Sequence, residues 1–151
     1  MTYTNETLAK SLAAHLAPLF PGVTFYEDPT QQSISLPAMY LQVRSSKISL
    51  SVNDRYLRTI ALDLVYLEDF NLPNLQQKYS KAGETLDYNM ETFDYSDGTD
   101  SAKLRTYERN AKIDLDACHY YFELRLWVKP VKTGTPMQTM TYQEEILNGK
   151  E

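Results

Sequence analysis

Residues 55–67, Arg55-Tyr56-Leu57-Arg58-Thr59-Ile60-Ala61-Leu62-Asp63-Leu64-Val65-Tyr66-Leu67, constrain this chain more than any other stretch. They contain neither Gly nor Pro and are rich in branched and aromatic side chains, which suit a pleated, half-buried surface. With a period of two, Tyr56, Ile60, Leu62, Leu64 and Tyr66 share one face, with Arg58 as the polar exception. Leu57, Thr59, Ala61, Asp63, Val65 and Leu67 share the other, which is mixed. One apolar and one mixed face predict a long strand with a core on one side, and the strand is read as central to a sheet.

The other elements follow from local signals. Residues 4–20 predict a helix, capped by Thr4 or Asn5, with Glu6 in the first turn and a stripe of Leu8, Leu12, Leu16, Leu19 and Phe20. Pro18 kinks or ends it, and Pro21-Gly22 stops it. Val23–Glu27 and Ala38–Val43 read as strands around a polar loop. Ser45–Asn53 is open between an edge strand and a hairpin arm. A second helix opens at Asn71-Leu72-Pro73, and its stripe runs Leu75, Tyr79, Ala82, Leu86, Met90, Phe93. Gly83 inside that helix costs about 1 kcal/mol relative to Ala, so close packing is expected there. Asp94–Asp100 reads as a turn, 102–115 as extended chain and Asp114–Asp116 as a hairpin bend. Residues 118–128 form another long strand, with Tyr120, Phe122, Leu124, Leu126 and Val128 opposite His119, Tyr121, Glu123, Arg125 and Trp127. The order predicts an α+β domain over residues 1–130, with a largely antiparallel or mixed sheet and two helices on its apolar face. Residues 131–151 read either as a frayed terminus or as an extended C-terminal arm anchored by Met and Tyr.

Charge and cysteine usage narrow the function classes. A net charge of −5 argues against nucleic-acid binding by phosphate neutralisation and against adsorption on an anionic membrane. The single cysteine, Cys118, forms no internal disulfide. Leu8–Leu19 is broken by Lys10 and His15, so it reads as neither a secretory leader nor a membrane span, and a cytoplasmic protein is expected. Twelve tyrosines are many for this length. A ring with a polar tip suits protein interfaces as well as strand faces.

No catalytic constellation emerges. Counted from Asp94 as a calcium loop, Gly98 falls fifth where a sixth is needed and Arg105 stands where the bidentate Glu belongs, so a solvated turn is the better reading. Cys118 and His119 are neighbours on a strand and therefore point to opposite faces, leaving a buried thiol and a partly exposed imidazole. Two His and one Cys show no metal-ligand spacing. No Gly-rich phosphate loop is present. Arg55 and Arg58 with Tyr56 and Tyr107 raise single-stranded nucleic acid as a possibility, but equally numerous acidic neighbours favour surface ion pairs. Neither a cofactor nor a metal is expected.

Several segments taken in order carry a resemblance. The N-terminal helix leads to 23–28 and 38–43. Asn53-Asp54-Arg55-Tyr56-Leu57-Arg58 runs into a strand ending Val65-Tyr66-Leu67. The second helix carries Leu86, Met90 and Phe93, and the closing strand runs from Asp116-Ala117-Cys118-His119-Tyr120-Tyr121-Phe122 to Trp127-Val128-Lys129 before a Met-containing tail. In this the chain resembles the tail terminator family of long-tailed phages and of phage-like contractile particles from Gram-positive bacteria. It departs from that pattern in having Asp54, not Gly, before the Arg-Tyr pair, and Asp116-Ala117 in place of an Asp-Gly bend. The resemblance implies a structural, non-enzymatic virion protein. It would form a hexameric ring that caps the head-proximal end of the tail tube, stops its polymerisation and meets the neck, with the last sheath ring as a further partner in a contractile tail. Assembly would take place in the host cytoplasm, DNA would be only passing cargo, and net negative charge would suit the lumen. Arg55, Tyr56, Arg58, Met137, Met140 and Tyr142 are the expected interface residues. The alternatives are a head-tail connector or other tail-completion protein and, from a different class, a small enzyme or ligand-binding domain whose site forms only in three dimensions.

Overall fold

The computed structural model describes residues 2–27 and 34–129. The element order is α1 (Asn5–Leu16), β1 (Thr24–Tyr26), β2 (Ala38–Val52), β3 (Arg55–Leu67), α2 (Leu75–Asn89), β4 (Thr92–Ser96), β5 (Ser101–Ile113) and β6 (Cys118–Val128). The strands form one sheet in the order β1-β2-β3-β6-β5-β4. Only β1 and β2 are parallel; all other pairs are antiparallel. The fold is thus α+β with a mixed sheet, and 55–67 is a central strand paired with β2 on one side and β6 on the other.

Both helices pack on one face, hereafter the inner face. Ile60, Leu62, Leu64 and Tyr66 of β3 and Cys118, Tyr120, Phe122, Leu124 and Leu126 of β6 share a core with Leu8, Leu12 and Leu16 of α1 and Tyr79, Ala82 and Leu86 of α2. The sheet curls around α1, which lies along β4 and reaches β1 and β2 with its C-terminal end. Thr4 is the N-cap, in a reciprocal box with Thr7, and the helix stops at Leu16, two residues before Pro18. Gly83 packs where expected: a Cβ there would lie 3.3 Å from the Ala111 Cβ. The missing side chain lets α2 sit close on β5.

Two expectations are corrected. The second helix begins at Leu75 after Asn74, in the left-handed region at φ 64°, so Pro73 precedes it and is not in its first turn. It ends at Asn89. Met90 is its C-cap, and Phe93 lies on β4, within what read as helix followed by turn. Both side chains still point into the core, because the helix and the strand after it face the same interior. The apolar spacing therefore continues while the backbone changes. The reading of 45–53 as a hairpin arm holds, and it is continuous with 38–43: Ala38 to Val52 is a single strand of 15 residues, with register shifts between Val43 and Ser45 and between Ser49 and Ser51. The extra residue at each bulge interrupts the period of two, so one strand reads as two segments in the sequence.

Two hairpins end the long strands at opposite ends of the sheet. Asn53 and Asp54 join β2 to β3 with φ of 50° and 66°. A two-residue type I′ turn requires both in the left-handed region, which Asn and Asp tolerate better than other non-Gly residues. Asp54 therefore fills the place of the expected Gly. Between β5 and β6, the Asp114 N–H donates to the Ala117 carbonyl at 2.9 Å, closing the bend expected at 114–116.

Candidate interaction surface

The face of the sheet opposite the helices, the outer face, is polar and aromatic. The register places Asp63 across from Gln42 and Tyr121, and Val65 across from Tyr40 and His119. Further along, Ala61 faces Glu123, Thr59 faces Arg125 and Leu57 faces Trp127. Cys118 and His119 point to opposite sides, as the strand period requires. The thiol is fully buried against the Tyr79 carbonyl, and burial pushes its pKa up to about 11. A thiol so placed is neither a nucleophile nor a metal ligand.

Three arginines stack on aromatic rings of this face. The Arg44 guanidinium lies 4.5 Å from the Tyr121 ring centre, Arg125 4.2 Å from Tyr107 and Arg55 5.7 Å from Trp127. Arg125 also lies 3.5 Å from Glu123 and 3.9 Å from Glu108. Arg44, Glu108, Asn110, Tyr121, Glu123 and Arg125 line an open groove of about 400 Å³. Beside it, His119 Nδ1 is 2.9 Å from Asp63 Oδ2, and its Nε2 is 3.6 Å from Asp114. Asp63 is buried, and its Oδ1 has no hydrogen-bond partner among the described residues. Burial, then the Asp63 charge, raises the pKa of Tyr40. This pairing was not foreseen. The period of two puts Asp63 and His119 on the mixed faces of their strands, but only the register brings them together.

The predicted site residues do not form one cluster. Arg55 is on the outer face beside Trp127, whereas Tyr56 and Arg58 share the inner face of the same strand. Neighbours on a strand are separated in this way. Arg58 turns inward to donate to Ser46 Oγ at 3.1 Å and to the Tyr3 carbonyl at 3.3 Å. It lines an open groove of about 470 Å³ with Thr2, Tyr3, Ser46, Ile48, Val128 and Lys129. Met137, Met140 and Tyr142 lie outside the described residues. Around the β2–β3 hairpin, Ile48, Val52, Tyr56 and Trp127 are exposed. At the other end of the strands, Leu36, Phe70 and Leu115 are exposed beside Glu68, Asp69 and Asp116. Among the described residues no three His, Cys, Asp or Glu side chains are placed to hold a metal ion. No described helix is long and apolar enough to cross a membrane.

An open sheet face and exposed apolar residues at both ends of the sheet describe a subunit with surface to share. Residues 7–136 match the model of a family described as phage tail terminator protein. The match spans most of the chain, and the chain belongs to that family. It is a structural protein of the phage tail, associated with other tail proteins. A comparison with curated proteins gives no match.

Proposed function

We propose that the protein is the terminator subunit itself. It forms a hexameric ring on the head-proximal end of the tail tube, stops tube polymerisation and joins the tube to the neck. In a contractile tail the ring also meets the last ring of the sheath. The observation that carries this reading is the family match over residues 7–136. It is supported by a sheet that, among the described residues, is covered by helices on one face only, which leaves a stable core and a surface for partners. A closed ring needs two different patches on each subunit that fit each other. The exposed residues around the β2–β3 hairpin supply one candidate, with Arg55, Tyr56 and Arg58 at its base. The C-terminal arm with Met137, Met140 and Tyr142 supplies the other.

DNA is passing cargo in this reading. The protein's net charge of −5 disfavours phosphate binding, and Arg125 is offset by two glutamates. The ring is assembled in the host cytoplasm and stays in the virion tail. The test is a tube-growth assay read by electron microscopy. Added to polymerising tube protein, the subunit is expected to cap one end and shorten the tubes as its ratio rises. Tubes of unchanged length with bare ends would refute the reading.

A further inference from the structure

The two ends of the outer face carry opposite chemistry. At the hairpin end Lys47 pairs with Thr59, Val52 with Arg55 and Trp127 with Leu57, so these side chains share the outer face. Lys47, Val52, Arg55 and Trp127 are all exposed there, a patch both apolar and basic, with Asp54 in the turn itself. At the far end, Ile34, Leu36, Leu67, Glu68, Phe70 and Asp116 line an open cleft of about 320 Å³. Leu36 and Phe70 are 45% and 65% exposed. Asp116 is exposed, as is Asp69 between two of the lining residues. This patch is apolar and acidic.

The charges at both ends are available. Glu68 is engaged by the Tyr66 hydroxyl and by Lys78 at 3.9 Å. Among the described residues no ion pair engages Lys47, Arg55, Asp69 or Asp116. An exposed apolar cleft edged by one sign of charge fits a protruding apolar segment of the other sign. Strand β3 runs from one end to the other, and its 13 residues extend about 40 Å. No subunit can therefore bring its own hairpin to its own cleft.

We infer that the β2–β3 hairpin of one copy seats in the far-end cleft of a second copy, with Val52 against Leu36 and Phe70 and with Arg55 against Asp69 and Asp116. Apolar burial supplies affinity, and the opposite charges fix which surfaces meet. The two patches are different surfaces of one chain, so the contact is heterologous. Each copy keeps one open hairpin or one open cleft until a ring closes. The inference rests on the ring reading above and sets a described surface, beside the arm, opposite the hairpin patch.

The experiment uses the full chain. The mass of the wild-type protein, alone and on tail tubes, is measured first. A protein monomeric in both conditions overturns the ring reading and this inference with it. With rings in hand, the charges are reversed one end at a time, by Arg55→Glu at the hairpin and Asp116→Arg at the cleft. Each variant alone sets like charges against each other and is expected to associate at least about tenfold more weakly in Kd, with its unfolding midpoint unchanged. Mixed one to one, the two variants are expected to recover rings. The acidic hairpin of one then meets the basic cleft of the other, and the two unaltered ends still match. Wild-type association in both single variants, or weakened variants that do not rescue each other, overturns the inference and leaves the ring reading standing. Intact rings that no longer cap tubes would give the cleft to another tail protein and overturn it likewise.

Discussion

The two faces of the sheet differ in what their side chains are for. On the inner face, Leu62, Leu64, Tyr120, Phe122 and Leu124 are all at or below 1% exposure under two helices. On the outer face of the same two strands, Ala61, Asp63 and Val65 are buried among their neighbours, while His119, Tyr121, Glu123, Arg125 and Trp127 are half-buried or exposed, and no described helix covers them. Along this span β3 and β6 thus separate the buried core from a surface that no described helix covers, by the alternation of their side chains. A substitution on this span should cost much stability on the inner face and little on the outer.

The largest effects belong to the inner face. Phe122→Ala or Leu62→Ala should lower unfolding stability by about 3–5 kcal/mol, from lost burial and the cavity left behind, read by urea denaturation. Tyr121→Ala, one position away on the outer face, should cost far less. Equal losses at 121 and 122 would break the comparison. Gly83→Val should cost about 1–3 kcal/mol, because the added atoms meet Ala111 and push α2 away from β5. Thr4→Ala should cost about 1 kcal/mol by removing the cap of α1.

The pH dependence has two limbs. Burial raises the pKa values of Cys118, Tyr66 and Tyr120, with carboxylates hydrogen-bonded to the two tyrosines adding to the effect. The folded state then holds protons that the unfolded state gives up, so stability is full below pH 9 and falls above it. For the thiol that window runs from its ordinary 9.0 to about 11, and Cys118→Ala should make the alkaline decline shallower. At the acid end, backbone N–H groups of Asp100, Thr2 and Thr99 hold the Asp97 carboxyl at about 2, below its ordinary 3.8. Its contribution is present above 3.8 and is lost as pH falls toward 2; Asp97→Asn should remove that limb. Smallest of all, Arg125→Ala should change stability by no more than about 0.5 kcal/mol, since exposed ion pairs contribute little.

Much of the inner face was legible in the sequence, because helix and strand periods both report which side chains meet a core. The two helices, β3, β6, the close approach at Gly83 and the opposite directions of Cys118 and His119 all follow from spacing. Strand β4 did not, because Met90 and Phe93 point into the same core from a cap and a strand at helix-like spacing. The full length of β2 did not, because its bulges shift the alternation. The outer face was the least legible. Arg44 meets Tyr121, and Asp63 meets His119, only through cross-strand register, which no local pattern encodes. Arg55 lies on the opposite face of β3 from Tyr56 and Arg58, as the strand period requires.

In the proposed function, exposed residues around the β2–β3 hairpin and the C-terminal arm join copies into a terminating ring. The most direct measurement is the mass of the purified protein by light scattering, with and without tail tube protein. A hexamer is expected, either in solution or formed on the tube end. A monomer indifferent to tubes would contradict it.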